Sequence, residues 1–238
     1  MTVAVVFGAG GGIGRAVVEQ LARSRRYASI HAGSRRSCIS FGAHIRPFTF
    51  DLTDETSIAA AAASIGQAPD LVMVTTGMLH DPMRNISPEK TLRNLDAASM
   101  DRAFAINTIG PALIAKHMLP RLPRDRRTVF AVISARVGSI GDNRSGGWLA
   151  YRASKAALNM LVVNFAIELR RTHPTAIIAA LHPGTVDTAL SAPFQGFVPP
   201  GKLFSPDTAA AHLLQVVETL TPANSGGFFA WDGQRIEW

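Results

Sequence analysis

A tyrosine and a lysine stand four residues apart in Tyr151-Arg152-Ala153-Ser154-Lys155, inside a stretch patterned as a helix. That spacing puts both side chains on one helical face. An ammonium beside a phenol favours the phenolate and lowers a pKa that ordinarily lies near ~10, which suits the tyrosine to exchange protons closer to neutrality. Taken alone, the pair is common by chance and reads first as an amphipathic tyrosine beside a solvated lysine, so the rest of the chain must decide. A second concentration of chemistry lies near the beginning, where the β-branched apolar run Thr2-Val-Ala-Val-Val-Phe7 leads into Gly8-Ala9-Gly10-Gly11-Gly12-Ile13-Gly14. A helical pattern follows, with Ile13, Val17, Val18 and Leu21 on one face and Arg15, Glu19 and Gln20 on the other. Strand, glycine turn and helix in that order form a dinucleotide-binding opening. Gly8, Gly10, Gly12 and Gly14 let the backbone turn tightly and approach a pyrophosphate, whose charge rests at the helix N-terminus.

These residues need a scaffold, and the apolar pattern supplies one. Strand-like runs recur at 2–7, 28–32, 45–50, 70–75, 127–134, 176–182 and 226–230. Helical patterns lie between them at 13–24, 54–65, 97–119, 149–171 and 206–219, while 34–44 is too short and polar for a helix. Alternating β and α units imply a parallel sheet of about seven strands with helices on both faces, wound right-handedly. The fold class is therefore α/β, a single Rossmann-type domain over residues 1–238. Asp51-Leu-Thr-Asp-Glu supplies an N-cap and an acidic first turn for the helix at 54–65. The Pro- and Gly-rich stretch from Ala192 to Lys202 reads as a candidate substrate lid.

Composition narrows the function classes. A length of 238 residues, with 47% hydrophobic and 17% charged residues, suits an independently folding globular unit. No apolar run approaches the ~18 to 20 residues of a membrane span, and the first segment lacks the basic region and cleavage site of a signal peptide, so the cytoplasm is the expected compartment. One cysteine, Cys38, allows no internal disulfide, and no Cys/His cluster has metal-ligand spacing, so no metal is expected. Lys and Arg exceed Asp and Glu by seven. The excess is scattered at Arg23, Arg25, Arg26, at Arg35, Arg36 and at Arg121, Arg124, Arg126, Arg127, without interleaved aromatics, which argues against specific nucleic-acid binding.

With their order and spacing, the two opening motifs resemble the short-chain dehydrogenase/reductase family. Its TGxxxGIG pattern appears as Phe7-Gly8-Ala9-Gly10-Gly11-Gly12-Ile13-Gly14, with Phe7 in place of the threonine. Val74-Thr75-Thr76-Gly77 stands where the family has NNAG at a strand end, and Asn107-Thr-Ile-Gly110-Pro111 matches NxxGP. After the YxxxK pair, His182-Pro183-Gly184-Thr185-Val186-Asp187-Thr188 resembles the PG motif. The tail from Ser225 to Trp238, with Gly146-Gly-Trp148 ahead of the tyrosine, is most similar to the C-factor-type or sniffer-like subgroup.

The resemblance implies an NADPH-dependent oxidoreductase that reduces a carbonyl, or oxidises the corresponding alcohol. Tyr151 gives the proton, Lys155 holds the nicotinamide ribose and lowers the pKa of Tyr151, and Asn107 keeps a water that links Lys155 to solvent. Asn107 reads alternatively as an amide bonding a backbone group. Thr76 and Gly77 border the cofactor, and Pro183, Gly184, Thr185, Val186 and Thr188 lie beside its carboxamide or phosphates; Thr185 and Thr188 also suit a cap on a short helix. His182 reads as a strand-end residue positioned by packing. Cofactor choice rests on Ile30-His31-Ala32-Gly33-Ser34-Arg35-Arg36, which has no carboxylate to bind the free adenosine ribose hydroxyls. Ser34, Arg35 and Arg36 suit a 2′-phosphate, so NADP(H) is expected over NAD(H). Asp51, followed by Leu52, is a candidate for the adenine amino group, with helix capping as its competing role.

The family's substrate-orienting serine is missing. Relatives read SSxxG where this chain reads Ser134-Ala135-Arg136-Val137-Gly138-Ser139, which puts Ala135 in the serine's place. Ser134 points to the opposite face unless the strand end twists, and Ser139 must fold back from the next loop. Either one of these hydroxyls is recruited, which is the favoured expectation, or the carbonyl is polarised more weakly. Trp148, Phe194, Phe197 and Phe204 suggest an apolar small-molecule substrate, or equally core and subunit contacts. Apolar residues on more than one face of 97–119 and 149–171, including Leu113, Ile114, Leu158, Leu161, Val162 and Phe165, suggest a homodimer or homotetramer. A catalytically weak NADP(H)-binding sensor of the same fold is the alternative function.

Overall fold

The computed structural model describes residues 2–36 and 44–238; Cys38 lies outside them. The strands are β1 (Val3–Phe7), β2 (Ser29–Ser34), β3 (Ile45–Thr49), β4 (Leu71–Val74), β5 (Thr128–Ile133), β6 (Ala176–His182), β7 (Thr185–Val186), β8 (Leu203–Phe204) and β9 (Gly227–Ala230). The helices are α1 (Gly12–Ser24), α2 (Glu55–Ser64), α3 (Ala97–Phe104), α4 (Gly110–Met118), α5 (Leu149–Leu169) and α6 (Pro206–Thr219). Seven strands form one parallel sheet in the order β3-β2-β1-β4-β5-β6-β9.

The near-continuous apolar sequences of β1, β4 and β5 follow from burial on both faces, which parallel sheets require. Val3, Val5, Phe7, Val132, Ile178 and Ala180 share one core with residues of α2, α4 and α5. Ala4, Val6, Ala131, Ile177 and Leu181 share the other with α1 and α6. The edge strand β3 is half exposed and carries Pro47, which an interior strand would not tolerate. Phe7, standing where relatives have threonine, is fully buried in edge-to-face contact with Phe48 and Phe50 at centroid distances of 5.2 and 5.1 Å.

The strand order reverses between β1 and β4. In an open α/β sheet the crevice outside the carboxyl ends at such a point is where ligands bind, and here it is bordered by the loops after β1, β4, β5 and β6. Two features refine the expected layout. The helix expected over 97–119 is interrupted by a single π turn, Ala105–Ile109, in which the Gly110 N–H bonds the Ala105 carbonyl. A small parallel sheet also pairs β7 with β8, registering Thr185 with Leu203 and Val186 with Phe204. It clamps both ends of the candidate lid, whose residues Ala192–Phe197 form a 3-10 turn. Among the described residues no helix is long and apolar enough to cross a membrane.

Candidate active site

The loop after β1 is shaped by close approach. The N–H groups of Gly8 and Ala9 both donate to the Gly33 carbonyl, at 2.9 and 2.8 Å, and the Gly11 N–H donates to the Gly8 carbonyl at 3.0 Å. Gly8 has a φ of 101°, and a Cβ there would lie 2.6 Å from Thr75 Oγ1. A Cβ on Gly14 would overlap the Gly8 carbonyl, and one on Gly12 would lie 2.8 Å from Thr188 Cγ2. Thr188 therefore packs over the glycine turn and joins the loop after β6 to it. α1 starts with neither a side-chain cap nor an acidic residue in its first turn, leaving its positive end to an anion. Gly10 is exposed and Ile13 half buried at the same opening. The Thr76 hydroxyl is buried without a partner, and Gly77 beside it is exposed. An uncapped helix start, a cradle that side chains would fill and an orphaned hydroxyl together fit a dinucleotide.

At the end of β2, Arg35 and Arg36 are exposed, while the Ser34 hydroxyl donates to the Arg36 carbonyl at 2.6 Å. The two guanidiniums are thus accessible, and Ser34 shapes the turn that carries them. Asp51 does not cap α2. Asp54 does so, accepting the Thr56 N–H at 2.9 Å, because it is the residue directly before the first helical turn. Asp51 instead accepts the N–H and hydroxyl of Thr53, both at 2.8 Å, and these bonds hold its carboxyl below the usual range. Leu52 is buried against Gly110, where even a methyl group would collide with it.

Tyr151 and Lys155 lie one turn apart on α5, with the Lys155 Nζ 5.9 Å from the Tyr151 ring centroid. Lys155 is 2% exposed, and its Nζ donates to the Ile133 carbonyl at the end of β5 at 2.8 Å. A Cβ placed on Gly77 would stand 3.7 Å from both this Nζ and Asn107 Oδ1, so the segment after β4, the turn at 105–109 and α5 converge on one point. The expected electrostatics are reversed here. Burial dominates both groups, pushing the Tyr151 phenol up and the Lys155 ammonium down to about 7. Spacing fixes how close the two groups are; the dry surroundings decide that both neutral forms gain.

Asn107 sits in the π turn, fully buried. Its amide accepts the Met78 N–H at 2.8 Å and donates to the Met78 carbonyl at 2.8 Å and to Ser154 Oγ at 3.1 Å. The side chain thus ties the segment after β4 to α5, one residue from Lys155. Ser134 does point away from the cleft: its hydroxyl donates to Asn159 Oδ1 at 2.7 Å. Ser139 Oγ accepts the Asp142 N–H at 3.0 Å. Both serines are 2% exposed, and among the described hydrogen bonds neither hydroxyl meets Tyr151. Gly138 between them lies so close to α5 that a Cβ would be 2.6 Å from Lys155 Cβ.

Beyond Pro183, Gly184 adopts a φ of 78°, and a Cβ there would lie 2.7 Å from the Phe204 ring and 3.2 Å from Trp231. Val186 is buried in β7. His182 has a buried, unpartnered Nδ1, and burial, reinforced by the nearby Arg136, lowers its pKa to about 4, so it is neutral at physiological pH. The aromatics divide into two groups. Phe204 packs at 4.8 Å on Trp231 and at 5.2 Å on His212, away from the lid tip. Phe194 meets Trp148 at 5.2 Å, and Trp148 meets Tyr151 edge-on at 6.4 Å, so these rings form a wall beside the Tyr151 phenol. His80 extends this wall, lying 5.9 Å from Phe194 and within 3.0 Å of the Ala189 carbonyl through its Nε2. His80 and Glu89, which bonds the start of α5, also lie at this cleft, and the sequence reading missed both. Both act through partners distant in the chain, and no local spacing signals them.

A family model described as short chain dehydrogenase matches residues 2–196. A 1-hydroxy-2-glutathionyl-2-methyl-3-butene dehydrogenase from Rhodococcus is 32% identical over 191 residues, covering 79% of this chain and 78% of the relative. The C-signal protein of Myxococcus xanthus is 37% identical over 148 residues, covering 62% of this chain and 83% of its own length. The structure of an NADPH-bound carbonyl reductase from chicken fatty liver superposes with a TM-score of 0.83 at 26% identity, covering 100% of this chain and 94% of the other.

Proposed function

The chain belongs to the short-chain dehydrogenase family and is a short-chain oxidoreductase acting with a nicotinamide cofactor on small molecules, and we propose that it is an NADPH-dependent carbonyl reductase, or in reverse an alcohol dehydrogenase, formed by residues 1–238 as one unit. The observation that carries this reading is the convergence of Tyr151, Lys155, Asn107 and Gly77 at the carboxyl ends of β4 and β5.

When bound, the nicotinamide supplies or accepts the hydride. The residues of this chain do the rest. Gly8, Gly10, Gly12, Ile13 and Gly14 with the start of α1 would hold the pyrophosphate, Asp51 with the main chain of Leu52 would flank the adenine, and Thr76, Gly77, Pro183, Gly184, Val186 and Thr188 would border the nicotinamide half. Arg35 and Arg36, exposed on a turn set by Ser34, would hold the 2′-phosphate by charge-assisted bonds. Tyr151 donates its phenolic proton to the carbonyl oxygen. Its raised pKa keeps that proton in place until charge develops. Lys155, which bonds the Ile133 carbonyl and has a pKa of about 7, would hold the nicotinamide ribose and, where protonated, return a proton towards Tyr151. Asn107 fixes the segment after β4 against α5 and keeps a water beside Lys155.

Trp148, Phe194 and His80 favour an apolar carbonyl compound at Tyr151. Because Ser134 donates its proton to Asn159 and Ser139, 2% exposed, has its oxygen turned to the Asp142 N–H, polarisation of that carbonyl is weak. The protein acts as a homodimer or homotetramer. Ile114, Leu158 and Val162 are used up in the core, whereas Ile109, Met160 and Ile167 are 52%, 61% and 57% exposed on the π turn and α5, and these offer the pairing face. NADPH oxidation against a panel of apolar ketones and aldehydes tests the function. The second reading, a catalytically weak NADP(H)-binding sensor, is favoured by Ala135 and by the relative named C-signal. It predicts NADPH binding without turnover on any member of the panel.

A further inference from the structure

The start of α5 is an unusual place to mount a proton donor. Gly146, Gly147 and Trp148 lead into it with φ values of 61°, 67° and 50°, all left-handed. The two glycines hold that conformation without strain, but Trp148 does so only where its surroundings over-determine it. The helix also lacks a side-chain cap of its own and has no acidic residue in its first turn. Four N–H groups at a helix start need acceptors, and the positive end of the helix needs a counter-charge.

Glu89, 61 residues earlier, meets both needs. Its main-chain carbonyl accepts the Trp148 N–H at 2.6 Å, and its carboxylate Oε2 accepts the Ala150 N–H at 3.2 Å. The second bond is the one an N-cap side chain ordinarily makes to the second residue of a helix. Glu89 is 5% exposed and walls a small cavity with Met78, Ala150 and Tyr151. Gly147 lies beside it in ordinary contact, since a Cβ there would stand 3.7 Å from the Glu89 carbonyl oxygen. Its own segment is anchored on the near side by the paired backbone bonds of Asp81 and Ile86, both 2.9 Å, and by the Arg84–Asp81 ion pair at 2.7 Å. On the far side Asp96 caps α3.

We propose that Glu89 is a positioning residue for Tyr151: it caps α5 from outside the helix, holds the left-handed turn at Trp148, and so fixes both the phenol and the Trp148 wall beside it. The proposal rests on the reading of Tyr151 as the proton donor. Glu89 touches neither hydride path nor carbonyl. It acts on turnover by setting where the phenol stands, and a donor misplaced by a fraction of an ångström loses rate while the cofactor, held by other loops, stays bound.

Three variants separate the bond from the charge. Glu89→Gln keeps an acceptor oxygen at the same reach, Glu89→Asp keeps the charge but draws it back by one methylene, and Glu89→Ala removes both. Amide hydrogen exchange is measured on peptides covering 147–153, alongside kcat and KM on a carbonyl that the parent reduces. The expected result is at least tenfold faster exchange and at least tenfold lower kcat for Glu89→Ala and Glu89→Asp, NADPH affinity within twofold of the parent, and Glu89→Gln within threefold of the parent in both readouts. If Glu89→Ala does not fold, Glu89→Asp and Glu89→Gln decide by the same readouts. Parent-like exchange and kcat in Glu89→Asp overturn the proposal, as does a Glu89→Gln variant as damaged as Glu89→Asp. Exchange needs no turnover, so a parent that reduces no carbonyl sinks the functional reading while exchange still decides whether Glu89 holds the helix start.

Discussion

Ala135→Ser should make this enzyme faster, and the structure sets by how much. Ala135 has φ −142° and ψ 141°, an extended conformation that any residue adopts, and it is half buried at the end of β5, so a hydroxyl can be added without moving the backbone. Among the described hydrogen bonds neither neighbouring hydroxyl meets Tyr151. Ser134 donates to Asn159 at 2.7 Å and Ser139 accepts from Asp142 at 3.0 Å, each nearly fully buried. A preorganised donor to a developing oxyanion contributes ~3 to 4 kcal/mol. An added serine lacks a supporting shell selected for it, so about 1.4 to 2.7 kcal/mol is the reasonable share, which is ten- to a hundredfold in kcat. The bond strengthens as charge develops on the oxygen, so KM should move less than kcat. Stopped or steady-state NADPH oxidation on one apolar ketone reads both. Ser134→Ala serves as the control: it leaves Asn159 short of a donor and should lower stability by about 1 to 2 kcal/mol with kcat within ~threefold of the parent. An Ala135→Ser enzyme no faster than the parent, together with a hundredfold loss in Ser139→Ala, would refute this reasoning and make Ser139 the orienting hydroxyl.

Replacing Arg35 and Arg36 with alanine should erase a preference for NADPH over NADH of at least ~tenfold, measured by titrating both cofactors; equal affinities in the parent protein would refute the assignment. The folded-state pKa of Lys155, about 7, lies below its ordinary value of 10.5. The unfolded chain therefore binds the extra proton between those values, and this group's contribution should make stability rise with pH from about 7 to about 10.5. The Lys155→Met protein should lose that rise in thermal melts across the same range, and an unchanged pH slope would count against a dry Lys155. Met160 and Ile167 lie two turns apart on one face of α5, so the double variant Met160→Glu, Ile167→Glu should convert an oligomer to a folded monomer by light scattering; a monomeric parent would contradict the proposed assembly.

The strands and helices were legible because each buries a periodic apolar face: the run at 2–7 and the pattern at 13–24 needed no tertiary information. The π turn was not, since Ala105-Ile-Asn-Thr-Ile109 reads as continuous helix and only the Gly110 N–H bond to the Ala105 carbonyl marks the extra residue. β7 and β8, two residues each, are too short to carry a period. Asp51 and Asp54 are chemically alike and three apart, so the cap could be assigned only by seeing which carboxylate meets Thr56. The YxxxK spacing gave proximity, but the sign of both pKa shifts comes from burial, and sequence contains no local record of it. Glu89 escaped notice for a similar reason, because its acceptor role depends on a helix that begins 60 residues later.

The most direct test of the central claim compares the parent with Tyr151→Phe on a verified carbonyl substrate, following NADPH oxidation and, separately, NADPH binding. The substitution removes only the phenolic oxygen, so it should lower kcat at least ~100-fold, the usual scale of a general acid, while NADPH affinity stays within about twofold. A Tyr151→Phe enzyme that turns over at the parental rate would contradict the account, because some other group must then deliver the proton.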